Sequence, residues 1–328
     1  MKILITGASG FIGAHLSKLC VNENNEVHLC DNNSRGEKDE FIENILKNKK
    51  ARFIKADLTL KKDVELLDDD YDIIFHLAAI NGTENFYKIP YTVMEVAIKS
   101  TFLLLEKFKD KDTKFVFSSS SEVYAGSIKN NPYLIPTSED VPCTIDDVSN
   151  ERFSYGGSKL TCEIMINSFA KQFKLDYQII RYHNIYGPRM GTKHVVPQFI
   201  ERARRTPKEF DIFGSDQTRA FCYIDDAVKA TYDLSLVKAQ GIYHIGNDEE
   251  EIKIFELAKL INLCYNNDVV FKIHSAPEGC VQRRCPNLSK LKSVIEYKPK
   301  TGLKTGIKKT VKWYDSWFSK NISNKELL

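Results

Sequence analysis

The chain has 328 residues, enough for about two domains of ordinary size, and 42% of them are hydrophobic. The formal net charge is only +3, and lysine and arginine are spread along the chain, so the composition gives no sign of a nucleic-acid-binding surface. No apolar run approaches the roughly 18 residues of a membrane span, so we expect no membrane partner.

The N-terminus leads directly into a strand pattern, without the apolar core and cleavage site of a signal peptide, so we expect a cytoplasmic protein. Short apolar runs then alternate with helical patterns. Strands are predicted over 2–6, 26–30, 51–56, 72–78, 114–119 and 176–182, and helices over 11–22, 39–48, 91–109 and 157–173. Repeated strand–helix order with continuously apolar strands predicts an α/β fold whose parallel sheet is covered on both faces.

The alternating pattern weakens after residue 182, where several prolines and glycines follow and one further helix is predicted over 254–264. We therefore expect a larger domain over residues 1–182, a smaller mixed α/β region over 183–318 and a polar tail over 319–328. The eight cysteines include no C-x-x-C pair, and several lie in apolar runs. We expect them to be reduced packing residues and expect no metal site.

Three glycines, Gly7, Gly10 and Gly13, follow the first predicted strand and open the first predicted helix. They permit a tight turn, a close backbone approach to a pyrophosphate and close helix–strand packing, while the helix N-terminus attracts the phosphate charge. The second strand is followed by Asp31, whose carboxylate can accept both ribose hydroxyls and repel a 2′-phosphate. This favours NAD over NADP, although Arg35 nearby keeps NADP open. A purely structural glycine turn is the alternative.

Nine motifs follow one another along the chain: "TGASGFIG", "DNNSRG", "ADL", "FHLAA", "SSSSEVY", "SYGGSK", "RYHNIYGPR", "TRAFCYIDD" and "YHIGN". On these motifs the chain resembles the extended short-chain dehydrogenase/reductases of the NAD-dependent epimerase/dehydratase family, nearly from end to end. The resemblance implies a Rossmann-type, doubly wound parallel sheet that holds NAD and a smaller mixed α/β C-terminal domain that holds a nucleotide sugar. The residues expected to contact NAD are Gly7, Gly10, Phe11, Ile12, Gly13, Asp31, Asn32, Arg35, Asp57, Leu58, Leu77, Ala78, Ala79, Tyr155 and Lys159.

Tyr155 and Lys159 are four residues apart, so on a helix they share one face. A tyrosine with a pKa near its ordinary value of about 10 is a poor base at neutral pH, but a lysine ammonium and a positive nicotinamide ring would stabilise its phenolate. Tyr155 is therefore predicted to take a proton from a sugar hydroxyl while a hydride moves to NAD. Alone, such a pair is usually structural, and the upstream motifs favour the catalytic interpretation.

The serine segment before Tyr124 supplies the remaining predicted catalytic residues, Ser120 and Glu122. The resemblance implies that Ser120 hydrogen-bonds the reacting hydroxyl. Glu122 is similar to the glutamate of sugar 4,6-dehydratases and UDP-glucuronate decarboxylases, which act at C5 after forming a 4-keto sugar, whereas 4-epimerases often have a small or neutral residue there. Ser121 replaces the aspartate of the dTDP-glucose dehydratases, which weakens that route. The alternative for Glu122 is a solvated carboxylate at a strand end.

The resemblance assigns substrate binding to residues of several loops, and arginines suit this role because they donate paired hydrogen bonds to phosphate or carboxylate. These residues are Thr83, Asn184, Arg189, Arg219 and Arg284. The stretch "INGTENFYKIP" after "FHLAA" departs from the family pattern, so the substrate is not inherited from one subfamily.

Three hypotheses therefore stay open. The first is oxidation at C4 followed by a step at or near C5, with UDP-uronate decarboxylation favoured and 4,6-dehydration as its variant. The second is 4-epimerisation of a UDP-hexose, and the third is a non-catalytic NAD-binding sensor. A homodimer through the helices at 91–109 and 157–173 is also expected.

Overall fold

Parallel strands form the central layer of the fold. A computed structural model of the chain describes residues 1–206, 208–276 and 281–322. In this part of the chain the strands are β1 (Lys2–Thr6), β2 (Glu26–Asp31), β3 (Ala51–Lys55), β4 (Ile73–His76), β5 (Lys114–Ser120), β6 (Asp176–Tyr182), β7 (Ile185–Tyr186), β8 (Glu209–Phe213), β9 (Thr218–Ala220), β10 (Cys222–Tyr223), β11 (Gly241–Ile245), β12 (Glu251–Lys253), β13 (Val270–His274) and β14 (Arg283–Arg284).

Helices connect these strands and cover the sheet. They are α1 (Phe11–Asn22), α2 (Glu40–Leu46), α3 (Lys61–Val64), α4 (Thr83–Lys88), α5 (Pro90–Phe108), α6 (Ala125–Asn130), α7 (Phe153–Phe173), α8 (Val195–Arg204), α9 (Ile224–Leu236), α10 (Ile254–Leu263), α11 (Ser289–Lys292) and α12 (Leu303–Ile322). Two 3₁₀ turns, at Ser121–Tyr124 and Pro132–Leu134, follow β5 and α6.

The main sheet has the strand order β3-β2-β1-β4-β5-β6-β11, and every neighbouring pair is parallel. This is the order of a doubly wound Rossmann fold, in which the order reverses between β1 and β4 and leaves a crevice at the carboxyl ends of the strands. The predicted fold class is therefore confirmed.

All six predicted strands and the predicted helices are present, with small differences at their ends. Strand β4 ends at His76, earlier than predicted. The Leu77 N–H is shared between the Thr6 carbonyl, at 3.3 Å, and the Thr6 hydroxyl, at 3.1 Å, and the Ala78 N–H donates only to that hydroxyl, at 3.2 Å. Helix α7 begins at Phe153 rather than at 157. The sequence obscured this start because two glycines, Gly156 and Gly157, lie in its first turns.

The two faces of the sheet bury separate apolar clusters, because successive side chains of a strand point to opposite faces. On one face Leu4 and Ile74 pack with residues of α5 and α7, and on the other Ile3 and Ile5 pack with residues of α1 and α9. These residues are almost fully buried. The cores on both faces hold the strands rigid, so that the loops at their carboxyl ends have fixed positions.

The second half of the chain forms a smaller layer and also adds one strand to the main sheet. Strand β9 lies between β12 and β14, β8 pairs with β13, and α8, α10 and α12 pack beside them. Strand β11, which the sequence placed in the second region, instead pairs with β6 at the edge of the main sheet. The division at residue 182 stays a prediction.

The end of the described chain belongs to α12. Of the predicted polar tail, residues 319–322 form the last turn of that helix, and residues 323–328 lie outside the described residues, as does Cys280. The seven other cysteines are free thiols. None of the described helices has both the length and the apolar character needed to cross a membrane. Within the described ranges, no three His, Cys, Asp or Glu side chains are grouped as metal ligands.

Candidate active site

A cleft of about 630 Å³ runs along the carboxyl ends of the central strands. Every predicted catalytic and cofactor-binding residue lines this cleft, and so do four of the predicted substrate-binding residues: Thr83, Asn184, Arg189 and Arg284. Arg219 is not among the described residues that line it. The cleft lies where the strand order reverses, which is the usual ligand site of this fold.

The loop after β1 provides a surface without side chains at the start of α1. Gly7 has a φ of +67°, and a Cβ there would lie 2.8 Å from the Ala78 nitrogen. At Gly13 a Cβ would collide with the Gly7 carbonyl oxygen. Both positions therefore require glycine. The Gly10 N–H donates to the Gly7 carbonyl at 3.0 Å, and helix α1 then begins with its N–H groups directed to the cleft.

Asp31 holds this loop against the end of β2. One of its carboxylate oxygens accepts from the Ser9 N–H at 2.9 Å and the other from the Asn33 N–H at 2.8 Å. Burial raises the pKa of Asp31, and the two N–H donors oppose that rise. Because a carboxylate has about four acceptor sites, Asp31 can still accept two ribose hydroxyls. The side-chain-free loop, the helix N-terminus and this carboxylate fit a dinucleotide such as NAD.

Arg189 lies at the cofactor end of the cleft. Its Nε donates to Asp39 at 2.9 Å, and its two terminal nitrogens donate to the Gly10 and Ser9 carbonyls at 3.3 Å. Arg189 therefore stabilises the glycine loop by hydrogen bonds, and its predicted role in substrate binding stays a prediction.

Two other predicted substrate residues make hydrogen bonds within the second half of the chain. The Asn184 side chain donates to the Ala220 carbonyl at 3.1 Å. Arg219, on β9, donates to the Val281 carbonyl at 2.8 Å and to the Gln217 side chain at 3.1 Å. Arg219 pairs in register with Arg284 on β14, so the strand that carries it also helps to place Arg284 at the cleft.

Tyr155 and Lys159 lie in the first turns of α7, and both side chains are buried. The Lys159 ammonium donates to the Ser118 carbonyl at 2.7 Å and lies 5.8 Å from the centre of the Tyr155 ring. Burial lowers the pKa of Lys159 to about 8. Burial and the charge of Glu122 raise the pKa of Tyr155, while a hydrogen bond with Ser120 and the charge of Arg35 act in the opposite direction. Tyr155 therefore needs additional positive charge to lose its proton at neutral pH.

The ring of Tyr155 is stacked on Phe86 of α4. The ring centres are 4.8 Å apart and the planes differ by 9°. In addition, the Ser154 hydroxyl donates to the Phe86 carbonyl at 3.3 Å. Sequence reasoning missed Phe86, because it lies in the stretch "INGTENFYKIP", for which no family pattern was recognised. The sequence signal for Phe86 was its place in the loop after the fourth strand, at the sheet edge where the cleft lies.

Glu122 is held between two arginines. Arg284 Nη1 lies 2.5 Å from one carboxylate oxygen, and Arg152 Nη2 lies 3.2 Å from the other. Burial favours the neutral acid, but the two guanidinium groups outweigh it and lower the pKa of Glu122 to about 2. Glu122 is thus an ion-paired carboxylate of the cleft and not a solvated strand end. Sequence reasoning found Glu122 and Arg284 and missed Arg152, which precedes α7.

A buried ion pair lies behind the serine segment. Arg181 on β6 donates to Glu163 on α7 through Nε at 3.0 Å and Nη2 at 2.5 Å. The Ser119 hydroxyl also donates to Glu163, at 2.5 Å, and Arg181 donates to the Tyr124 hydroxyl. Because Glu163 follows Lys159 by one helical turn, these contacts join the helix that carries Tyr155 and Lys159 to β5 and β6.

A family model described as the NAD dependent epimerase/dehydratase family matches residues 3–246. A UDP-N-acetyl-alpha-D-glucosaminuronate decarboxylase from Bacillus cytotoxicus is 32% identical over 324 residues, which cover 95% of this chain and 97% of that protein. A solved UDP-glucose 4-epimerase from Thermotoga maritima, with UDP-glucose, is 29% identical with a TM-score of 0.85, over 97% of this chain and all of that one. A UDP-glucuronic acid 4-epimerase from Bacillus cereus, solved with UDP-glucuronic acid and NAD, is 26% identical with a TM-score of 0.82, over 97% and 100% of the two chains.

Proposed function

Because the chain belongs to the NAD-dependent epimerase/dehydratase family, we propose that it oxidises C4 of a UDP-uronate and then removes the C5 carboxylate as carbon dioxide. The family match confirms the predicted resemblance, the NAD cofactor and the assignment as an enzyme. Decarboxylation is the finer step that this proposal adds.

The observation that carries the proposal is Glu122 with a guanidinium on each carboxylate oxygen, beside Tyr155. One carboxylate and two arginines leave the cluster with one net positive charge. A neutral hexose would leave this charge uncompensated in a largely buried place, whereas the carboxylate of a uronate would neutralise it. Arg284 lines the cleft, so its guanidinium lies beside the space that the substrate would occupy.

The proposed reaction assigns one step to each group of the cleft. Tyr155, as a phenolate, takes the proton of the C4 hydroxyl, and Ser120 hydrogen-bonds the same oxygen. NAD, when bound, accepts the hydride from C4. The resulting ketone lies β to the carboxylate, so the electrons of the bond between C5 and C6 move towards the ketone oxygen as carbon dioxide leaves. A proton then adds at C5. Return of the hydride to C4, with the proton on Tyr155 going back to the C4 oxygen, would complete a UDP-pentose and restore the oxidised cofactor. Lys159 stabilises the phenolate by its charge.

The test is incubation of the protein with UDP-glucuronate labelled with ¹³C at C6. We expect labelled carbon dioxide or bicarbonate and a UDP-pentose in the NMR spectrum, and no product from Tyr155→Phe. Glu122→Gln should lower the rate of carbon dioxide release by about 100-fold, because a neutral amide no longer holds the Arg152 and Arg284 guanidinium groups in place. Complete absence of labelled carbon dioxide with the native protein would refute decarboxylation.

A 4-epimerase is the second candidate, since two solved structures similar to this chain are named as 4-epimerases. In the same incubation, an epimerase would yield a C4 epimer with its labelled carboxylate retained. Glu122→Gln should then leave turnover nearly intact. A 4,6-dehydratase would instead convert a UDP- or dTDP-hexose to a 4-keto-6-deoxy sugar, and tight NAD binding without any turnover would favour the sensor.

A homodimer through α5 and α7 is also part of the proposal. These helices pack against each other, and Tyr91, Phe102 and Ile164 expose large apolar side chains on them, whereas Ile166 faces the sheet. We expect a mass of about twice 37.6 kDa by light scattering. The variant Ile164→Glu should reduce that mass to the monomer value, and a monomeric native protein would refute this arrangement.

A further inference from the structure

We propose that Arg152 is a positioning residue, which orients Glu122 in the active site from the position just before the catalytic helix α7. The two side chains meet although they are 30 positions apart in sequence, with 3.2 Å between Arg152 Nη2 and Glu122 Oε2. Their side chains are 12% and 20% exposed. This is a largely buried contact and not a surface ion pair of the kind that contributes little.

Arg152 acts through Glu122 and not on the substrate. Glu122 and Arg284 line the cleft, whereas Arg152 is not among the lining residues in the described chain. Arg284 comes from β14, and Arg152 immediately precedes α7, so the carboxylate is held from opposite parts of the chain. With one guanidinium on each oxygen, the carboxylate group has a fixed plane as well as a fixed position.

The start of α7 is built to approach Glu122 closely. At Gly156 a Cβ would lie 2.8 Å from the Glu122 carbonyl oxygen, so any side chain there would force the helix away. Gly156 follows Tyr155 directly. The same close approach therefore sets the distance from Glu122 to both Arg152 and the catalytic tyrosine.

The placement of Arg152 is electrostatically unfavourable for the helix itself. A cation at a helix N-terminus opposes the helix dipole, and α7 has no acidic residue in its first turn to offset it. Glu122 supplies the missing negative charge from outside the helix. A cation that weakens its own helix but completes an active-site carboxylate has a functional reason to be there, and this reason is the orientation of Glu122.

The effect of removing Arg152 on the pKa of Glu122 depends on the other charged and titratable groups around that carboxylate. Arg284 faces it from β14, Arg152 from the start of α7, and Tyr155 from the first turn of that helix, while Arg35 faces Tyr155. The neighbouring Arg283 turns away and pairs with Glu251 at 2.8 Å. Loss of Arg152 leaves burial opposed by one guanidinium, so the pKa of Glu122 should rise by about 1–3 units.

The experiment compares Arg152→Gln, Arg152→Lys and the matched control Arg283→Gln. Protein labelled with ¹³C at the glutamate side-chain carboxyl is titrated by NMR, and the Glu122 signal is identified by its loss in Glu122→Gln. We expect the native, Arg152→Lys and Arg283→Gln proteins to keep Glu122 ionised down to about pH 3. In Arg152→Gln the midpoint should move up by about 1–3 units. If the glutamine variant does not fold, a second neutral variant, Arg152→Met, is titrated in its place, and a Glu122 midpoint at the native value in that variant would overturn the proposal.

The effect on turnover rests on the proposed function, and the titration does not. With UDP-glucuronate, kcat of Arg152→Gln should fall about 100-fold while KM changes less than about 3-fold, since the misplaced group acts in the reaction and not in binding. A titration of Glu122 that is unchanged in Arg152→Gln would overturn the inference, whatever the native protein catalyses. A shifted titration in a protein that releases no carbon dioxide would support the inference and refute the decarboxylase.

Discussion

Removal of Glu163 should leave a buried arginine without its counter-ion. In the variant Glu163→Gln, Arg181 keeps its charge although its side chain is only 4% exposed, and it loses an ionic partner that now accepts two of its hydrogen bonds. Breaking a buried pair from one side typically costs about 3–5 kcal/mol, because the remaining charge has been taken out of water. We expect a decrease of that size in the free energy of unfolding.

The assay is urea denaturation followed by far-UV circular dichroism, with the fluorescence of Trp313 and Trp317 as a second probe. The matched variants are Arg181→Met and the double variant Glu163→Gln/Arg181→Met. Because the double variant removes both charges of the pair, it should be more stable than Glu163→Gln by about 1 kcal/mol or more. If Glu163→Gln costs less than about 1 kcal/mol, the pair is not buried as the structure indicates and the reasoning fails.

Three further results are expected. Burial lowers the pKa of Lys159 from 10.5 to about 8, so between these pH values the unfolded chain binds more protons than the folded protein. The free energy of unfolding should therefore rise with pH in this range by up to about 3 kcal/mol relative to Lys159→Met. Equal slopes of unfolding free energy against pH for the two proteins would contradict this. Phe86→Ala should lower kcat by about 10-fold or more by freeing the ring of Tyr155, whereas Val93→Ala, a change in the same apolar cluster, should reduce stability and leave kcat within about 2-fold. Gly13→Ala should abolish NAD binding measured by calorimetry, because its methyl group would collide with the carbonyl of the first glycine of the loop; native affinity would refute the tight packing.

The sequence predicted the parts of the site that depend on local spacing. Gly7, Gly10 and Gly13 lie within one turn and one helix start, and Tyr155 and Lys159 lie on one helix face, so their mutual geometry follows from the backbone periods. The parallel sheet with helices on both faces was predictable because each apolar run alternates with a helix.

Contacts between distant segments could not be predicted in the same way. Glu122 meets Arg152 across 30 positions and Arg284 across 162, and no periodicity relates such separations. Phe86 lies on a short helix in a stretch without a recognised pattern and stacks on the Tyr155 ring. Arg189 donates to the carbonyls of the glycine loop, a contact that depends on how the two halves of the chain pack and that its motif does not predict.

The position of β11 has a consequence for the time course of synthesis. Strand β6 ends at Tyr182, but its outer neighbour β11 is complete only at Ile245. At about 5–20 residues per second, a ribosome needs several seconds to add the intervening chain, and during this time β6 is an open sheet edge. The nascent protein therefore holds most of its cofactor-binding residues before its sheet is finished. An mRNA in which translation is slowed after β6 has left the ribosome, but before β11 has, should yield more aggregated protein than one in which it is slowed after β11 has also left.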